Sequence, residues 1–138
     1  MFREKQVALD LALPDLSPRV FADRDRLVQV MINLLSNAVK FAPPQSGRVA
    51  VTVGANDSEA RIEVVDNGPG IRPEERESIF EKFRQGGRDL LTDKPQGTGL
   101  GLPISRQIVE YFGGRIWAES GAGQGARFIF TLPLPGRR

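Results

Sequence analysis

The sequence contains no cysteine and no histidine in 138 residues. The first absence excludes disulfides and thiolate metal sites and leaves the redox compartment open. The second removes the commonest general base and the commonest transition-metal ligand. An excess of charge is also missing. Lysine and arginine total 19 against 17 aspartate and glutamate, a net charge of +2, which gives no basis for a nucleic-acid partner. No apolar run approaches the roughly 18 residues that cross a membrane, and no leader-peptide pattern opens the sequence. Internal repeats and low-complexity linkers are absent as well. What remains is ordinary globular composition, 40% hydrophobic and 26% charged, in a length that suits one domain with a real core. Residues 1–138 are therefore expected to form a single domain.

Hydrophobic patterning alternates strand and helix. Val7–Leu13 alternates apolar and polar residues as a half-buried strand does, and Pro14 and Pro18 turn the chain after it. Asp23 is a candidate N-cap for a helix running to about Phe41, which Pro43 and Pro44 end. Arg48–Gly54 and Ala60–Asp66 read as a strand pair, and Pro73 with Glu74 and Glu75 as the first turn of a short helix. Arg84–Thr98 has no periodicity. A helix is expected from about Leu100 to Phe112, stopped by Gly113 and Gly114. Arg115–Ser120 and Ala126–Leu134 then form a hairpin. The expected fold is α+β: a two-layer sandwich with a mixed sheet of about five strands and three helices on one face.

Three stretches carry possible chemistry, and each also has a plainer explanation. On the first long helix, Leu27, Val30, Met31, Leu34, Leu35 and Ala38 form the core stripe. Gln29, Asn33, Asn37 and Lys40 form a second stripe, within about 80° of one another. Amide oxygens are hard ligands that suit hydrated Mg²⁺, and the lysine suits phosphate. The same stripe could be a solvated face, although asparagine is a poor helix former. At Val64–Ile71 an apolar strand ends on Asp66, followed by Gly68 and Gly70. A rigidly held carboxylate there could accept from an exocyclic amine such as that of adenine, or Asp-Asn-Gly could be only a tight turn. At Gly97–Leu102, alternate glycines directly before a helix could present N–H groups to phosphates. They could equally form a flexible surface loop, since neither the P-loop nor the dinucleotide fingerprint is matched.

Taken in order, these stretches resemble the ATP-binding catalytic domain of bacterial sensor histidine kinases, in the superfamily that includes DNA gyrase, mismatch-repair ATPases and a heat-shock chaperone. Asn33–Pro43 resembles the N box, Asp66–Ile71 the first glycine box, Ile79–Phe83 the F box and Gly97–Leu102 the second glycine box. Gly113–Leu134 is similar to the C-terminal hairpin. The resemblance implies a Bergerat-type ATP-binding fold and ATP with Mg²⁺ as ligands. It implies Asn33 as the Mg²⁺ ligand, with Asn37 and Lys40 at the phosphates and Lys40 stabilising their charge. It implies Asp66 at the adenine amine with Gly68 and Gly70, Ile71 and Leu102 lining the base pocket, and Thr131 closing it. Gly97, Thr98, Gly99, Leu100 and Gly101 would be the phosphate-side hinge. Residues 84–97 would form the ATP lid, and Phe80 and Phe83 would anchor it and meet a helical domain. Residues 1–6 are similar to the linker that leads from that domain.

Two departures narrow the reading. A complete sensor kinase carries its phosphoacceptor histidine on a dimerising helical hairpin, and neither lies in these residues. The implied partners are ATP, that histidine-bearing dimerisation domain and, through the full-length protein, a response regulator. No nucleic acid and no membrane contact by these residues are expected. The implied location is cytoplasmic, with any inner-membrane anchor elsewhere in the full-length protein. The second departure is Gln29, one turn before Asn33, where the resemblance implies a water-activating glutamate in the ATPase branches. Glutamine cannot serve as a general base. The rival readings are a gyrase- or mismatch-repair-type ATPase and a pseudokinase docking module that binds no nucleotide.

Overall fold

The computed structural model describes residues 8–12, 20, 22–43, 45–81, 84–85, 88–89, 101–120 and 125–135. Strand β1 (Ala8–Ala12) is followed by helix α1 (Arg24–Phe41), then β2 (Arg48–Ala55) and β3 (Glu59–Asp66). Two single 3-10 turns (Pro73–Glu75 and Ser78–Phe80) lead to the two-residue strands β4 (Arg84–Gln85) and β5 (Arg88–Asp89). Helix α2 (Gly101–Tyr111) precedes the hairpin of β6 (Arg115–Ser120) and β7 (Ala126–Pro133). The main sheet runs β1-β2-β3-β7-β6. Strand β1 lies parallel to β2, and every other neighbour in the sheet is antiparallel. The mixed five-stranded sheet is thus as expected. Among the described residues no helix is long and apolar enough to cross a membrane.

Period-two alternation sorts the sheet into two faces. Val49, Val51, Val64, Phe128, Phe130 and Leu132 meet Val30, Leu34 and Ala38 of α1 and Val109 of α2 in one buried cluster. This places both helices over the same face. The other face carries charge. Arg61 pairs with Glu63 at 2.9 Å, and Arg127 with Glu63 and Glu119 at 3.6 and 3.8 Å. Trp117 lies between the Arg61 and Arg115 guanidinium groups, which stand 5.4 and 5.1 Å from its ring. Long side chains laid across a sheet in this way bury their stems while keeping their charges wet.

Local chemistry sets the helix ends. Asp23 caps α1, its carboxylate accepting from the Asp25 and Arg26 N–H groups at 2.8 and 3.4 Å. Asp23→Ala is expected to cost about 1 kcal/mol, read as a lowered denaturation midpoint with an unchanged slope. At the end of α2, the Gly113 N–H donates to the Glu110 carbonyl at 3.0 Å and the Gly114 N–H to Val109 at 2.9 Å. That pair of bonds is a Schellman stop.

The third, short helix expected from Pro73 is present in 3-10 form, as two single turns. Arg72 offers no side-chain cap to the first. The turns close only three-residue hydrogen bonds, Glu75 N–H to Arg72 O and Phe80 N–H to Glu77 O among them. Both Ile79 and Phe80 are buried, and short 3-10 turns are common as connectors between longer elements. The region read as aperiodic from Arg84 contains one regular feature, the pairing of Arg84 with Asp89 and Gln85 with Arg88.

Candidate functional site

The candidate site forms where β3 ends beneath the helices. Asp66 is the last residue of β3 and is only 3% exposed. Its Oδ1 accepts from the Gly68 N–H at 2.8 Å and the Ala126 N–H at 3.3 Å. Its Oδ2 is buried and has no hydrogen-bond partner among the described residues. Burial holds this carboxyl above the usual aspartate range, and the two backbone N–H bonds only partly offset that effect. Leaving such an acceptor unpaired costs roughly 1–3 kcal/mol. An orphaned buried acceptor therefore points to a missing donor.

The turn after Asp66 is braced on both sides. Asn67 Oδ1 accepts from the Arg48 N–H at 2.8 Å, and its Nδ2 donates to the Ser46 carbonyl at 3.0 Å. The side chain thereby stitches the turn to the start of β2. Gly68 passes so close to α1 that a Cβ there would collide with the Phe41 carbonyl oxygen and reach Asp66 Oδ1 at 3.0 Å. A Cβ at Gly125 would collide with the Asp66 carbonyl. An open cleft of about 490 Å³ lies between Lys40, Phe41 and Pro43 on one side and Asn67, Gly68 and Pro69 on the other. That volume falls in the range of small-ligand sites.

Ile71 and Leu102 pack as half-buried residues at the core's edge. The Ile71 N–H donates to Ser120 Oγ at 3.2 Å, and Arg76 Nη2 donates to the Ser120 carbonyl at 3.1 Å. Ser120 pairs with Ala126 across the hairpin. The residues after Gly70 are thus tied to the same rung that holds Asp66.

On α1 the stripe is real but its members differ. Asn33 Nδ2 donates to the Gly101 carbonyl at 3.1 Å and to Ser105 Oγ at 3.2 Å, so its donor side is committed to α2. Gln29 Oε1 accepts from Arg26 at 3.3 Å and is turned toward the start of the helix. Lys40 lines the cleft, with its ammonium 5.4 Å from the Phe41 ring. All four stripe residues are amides or cations, so none is a carboxylate able to activate water. Among the described residues there is no cluster of three or more acidic, cysteine or histidine side chains that could hold a metal.

One expected site residue is misplaced. Thr131 is buried, but it pairs with Arg61, five rungs from the Asp66 end of β3. It also lies on the opposite sheet face, because its parity along β7 differs from that of Ala126, which faces Asp66. The pocket therefore cannot be closed by Thr131. The residue at that rung is Ala126, which acts through its backbone N–H. Phe80 also differs from expectation. It is 4% exposed and packs edge-on against Phe128, 6.3 Å between centroids, so it anchors the chain to the core and has no surface to offer a helical domain. Gly97, Thr98, Gly99, Leu100 and Phe83 lie outside the described residues, as does most of the 84–97 segment. Phe41 was not anticipated. Its ring is 41% exposed and lines the cleft. The signal was available: an aromatic immediately after Lys40, off the core stripe, on the last turn of α1.

Comparison with known proteins supplies the family. The model of histidine kinase-, DNA gyrase B- and HSP90-like ATPases matches residues 22–136. The chain belongs to this family. Within it, sensor histidine kinases are among the relatives. This ATPase domain is 46% identical to the sensor histidine kinase AruS of Pseudomonas aeruginosa over 138 residues, covering 96% of the chain and 14% of AruS. It matches the catalytic domain of the histidine kinase ThkA at a TM-score of 0.79 and 34% identity, covering 96% of this chain and 84% of that one. ThkA has also been solved in complex with the response regulator protein TrrA (TM-score 0.78, 31% identity, 96% and 36% covered). Full-length ShkA, solved in complex with AMPPNP, matches at a TM-score of 0.80 and 36% identity over 96% of this chain and 26% of its own. The domain spans only a small part of the full-length kinases, and corresponds to their catalytic ATPase domain.

Proposed function

We propose that this domain binds ATP with Mg²⁺ and presents the γ-phosphate to a histidine on a separate dimerising helical domain. The observation that carries the reading is the buried Oδ2 of Asp66 without a partner among the described residues, an acceptor that the exocyclic amine of adenine would satisfy. Phe41 and the flat surface of the Gly68 turn would bound the base. The hard donors for a cation are the amide oxygens of Asn33 and Asn37, and Lys40 would stand against phosphate charge. When bound, Mg²⁺ would supply neutralisation of the charge that develops in phosphoryl transfer. Gly97, Thr98, Gly99, Leu100 and Gly101 would contribute backbone N–H groups on the phosphate side.

A kinase is favoured over a hydrolase because the stripe offers no carboxylate to deprotonate water and the chain has no histidine. The nucleophile then comes from a partner. A response regulator would take the phosphoryl group at a later step, as partner of the full-length kinase.

The test mixes the domain with the helical, histidine-bearing domain of its own full-length kinase and radiolabelled ATP. Transfer to the helical domain, with little phosphate released when the ATPase domain is alone, is the expected result. Asn37→Ala should lower transfer about tenfold or more, the scale of losing a charge-assisted contact. Steady hydrolysis by the isolated domain would favour the gyrase-type reading, and a flat calorimetric titration with AMPPNP and Mg²⁺ would favour the docking module.

A further inference from the structure

We infer that Ser105 is a positioning residue for Asn33, and through it for the cation-facing stripe of α1. The inference rests on the proposed use of that stripe. Ser105 is completely buried and lies one helical turn before Val109, a core residue of the same helix. An apolar side chain would serve the core at this position, and a hydroxyl there needs a partner. Its oxygen accepts from Asn33 Nδ2 at 3.2 Å, while the Gly101 carbonyl accepts from the same nitrogen at 3.1 Å.

A backbone carbonyl can only accept. The atom of the Asn33 amide that faces it must therefore be nitrogen. Turning the amide over would set its oxygen against the Gly101 carbonyl and lose that hydrogen bond, leaving only the Ser105 hydroxyl, which can also donate, to hold the side chain. The first turn of α2 thus selects which end of the amide α1 has to offer, and that end is Oδ1. A Cβ at Gly101 would stand 3.6 Å from this oxygen, in ordinary van der Waals contact. Asn33 and Ser105 are 72 residues apart in the chain, so the pairing exists only when α2 is docked. A cation site on α1 is then complete only with α2 in place.

The experiment is a titration of AMPPNP into the 138-residue domain, in Mg²⁺ and in EDTA. It compares the native chain with Ser105→Ala, Ser105→Thr, Asn33→Ala and the Asn33→Ala/Ser105→Ala double variant. Ser105→Ala is expected to weaken binding about fivefold in Mg²⁺ and to leave binding in EDTA unchanged. The added loss should vanish in the Asn33→Ala background, and Ser105→Thr, which keeps the hydroxyl, should recover most of it. In NMR spectra the Asn33 side-chain amide protons should lose exchange protection in Ser105→Ala. A merely structural serine would weaken binding equally in both media. Equal loss, additive loss or no loss overturns the role of Ser105. If Asn33→Ala alone abolishes the Mg²⁺ dependence while Ser105→Ala does not, only this inference fails. If neither variant touches that dependence, the use of Asn33 at the cation site fails with it.

Discussion

Asp66→Asn is expected to lower AMPPNP affinity roughly a hundredfold while leaving the nucleotide-free domain as stable as before, or more so. The affinity term follows from the chemistry of Oδ2. As a carboxylate it would accept a charge-assisted hydrogen bond worth about 1.5–3 kcal/mol, and each 1.4 kcal/mol is about tenfold in affinity. The asparagine NH₂ replaces an acceptor with a donor facing another donor. The stability term has the opposite sign. The folded-state pKa of Asp66 is raised above its ordinary value of 3.8, chiefly by burial. Between that value and the raised one, the folded chain holds a proton that the unfolded chain has released. Stability from this group is therefore lost as pH rises through the window, and stays lost above it. Asparagine carries no such cost, so its advantage in melting temperature should be present near neutrality and disappear in acid. Native nucleotide affinity should fall as pH drops through the raised pKa, above the range of an ordinary aspartate. Melting curves and titrations across pH would check both. Native-like affinity in Asp66→Asn would remove the purine contact from this residue.

Gly68→Ala is expected to destabilise the domain by about 2–3 kcal/mol and to abolish measurable nucleotide binding. The added methyl would overlap the Phe41 carbonyl oxygen and crowd Asp66 Oδ1. Neither can yield cheaply. The first is backbone at the end of α1, and the second is held by the Gly68 and Ala126 N–H groups. The turn must lift away from α1, which opens the cleft and breaks the bond that orients the carboxylate. Gly54→Ala is the control, because nothing lies within 4 Å of a Cβ at that position. It should stay within about 0.5 kcal/mol of the native chain and bind normally. If Gly68→Ala behaves like Gly54→Ala, the close approach of the turn to α1 does not shape the site.

These two variants also separate what the domain does from what holds it together. Asp66 is a residue that costs stability in the empty fold and would recover it only with a donor bound. Gly68 is required by the fold and by the site at once. A destabilised, binding-competent group surrounded by an over-determined frame is the usual arrangement of a functional site.

Much of this was legible in the residues. Asp23 before an apolar period of 3.6 marks the start of α1, and the glycine pair after Phe112 marks the end of α2, because caps and stops are local chemistry. Alternation in β2, β3 and β7 is local in the same sense, since a sheet with one face under helices demands a period of two. Asp66 at a strand end with glycines after it was visible as a turn and a possible acceptor. The four-residue stripe on α1 was visible because helix geometry alone brings positions 29, 33, 37 and 40 onto one side.

Strand register, by contrast, is settled by pairing between segments far apart in the chain and has no local signature. It was register that moved Thr131 to the far end of the sheet and put the Ala126 N–H against Asp66. Nor could the sequence say that Asn33 would commit its nitrogen to Gly101 and Ser105, or that the buried Oδ2 would be left without a partner among the described residues. Composition, caps and periodicity determined which elements form and which face each one buries, because those depend on neighbours a few residues away. The tertiary structure alone decided which polar atoms are satisfied and which are left waiting for a ligand, because hydrogen-bond partners are assigned only when distant segments close upon one another.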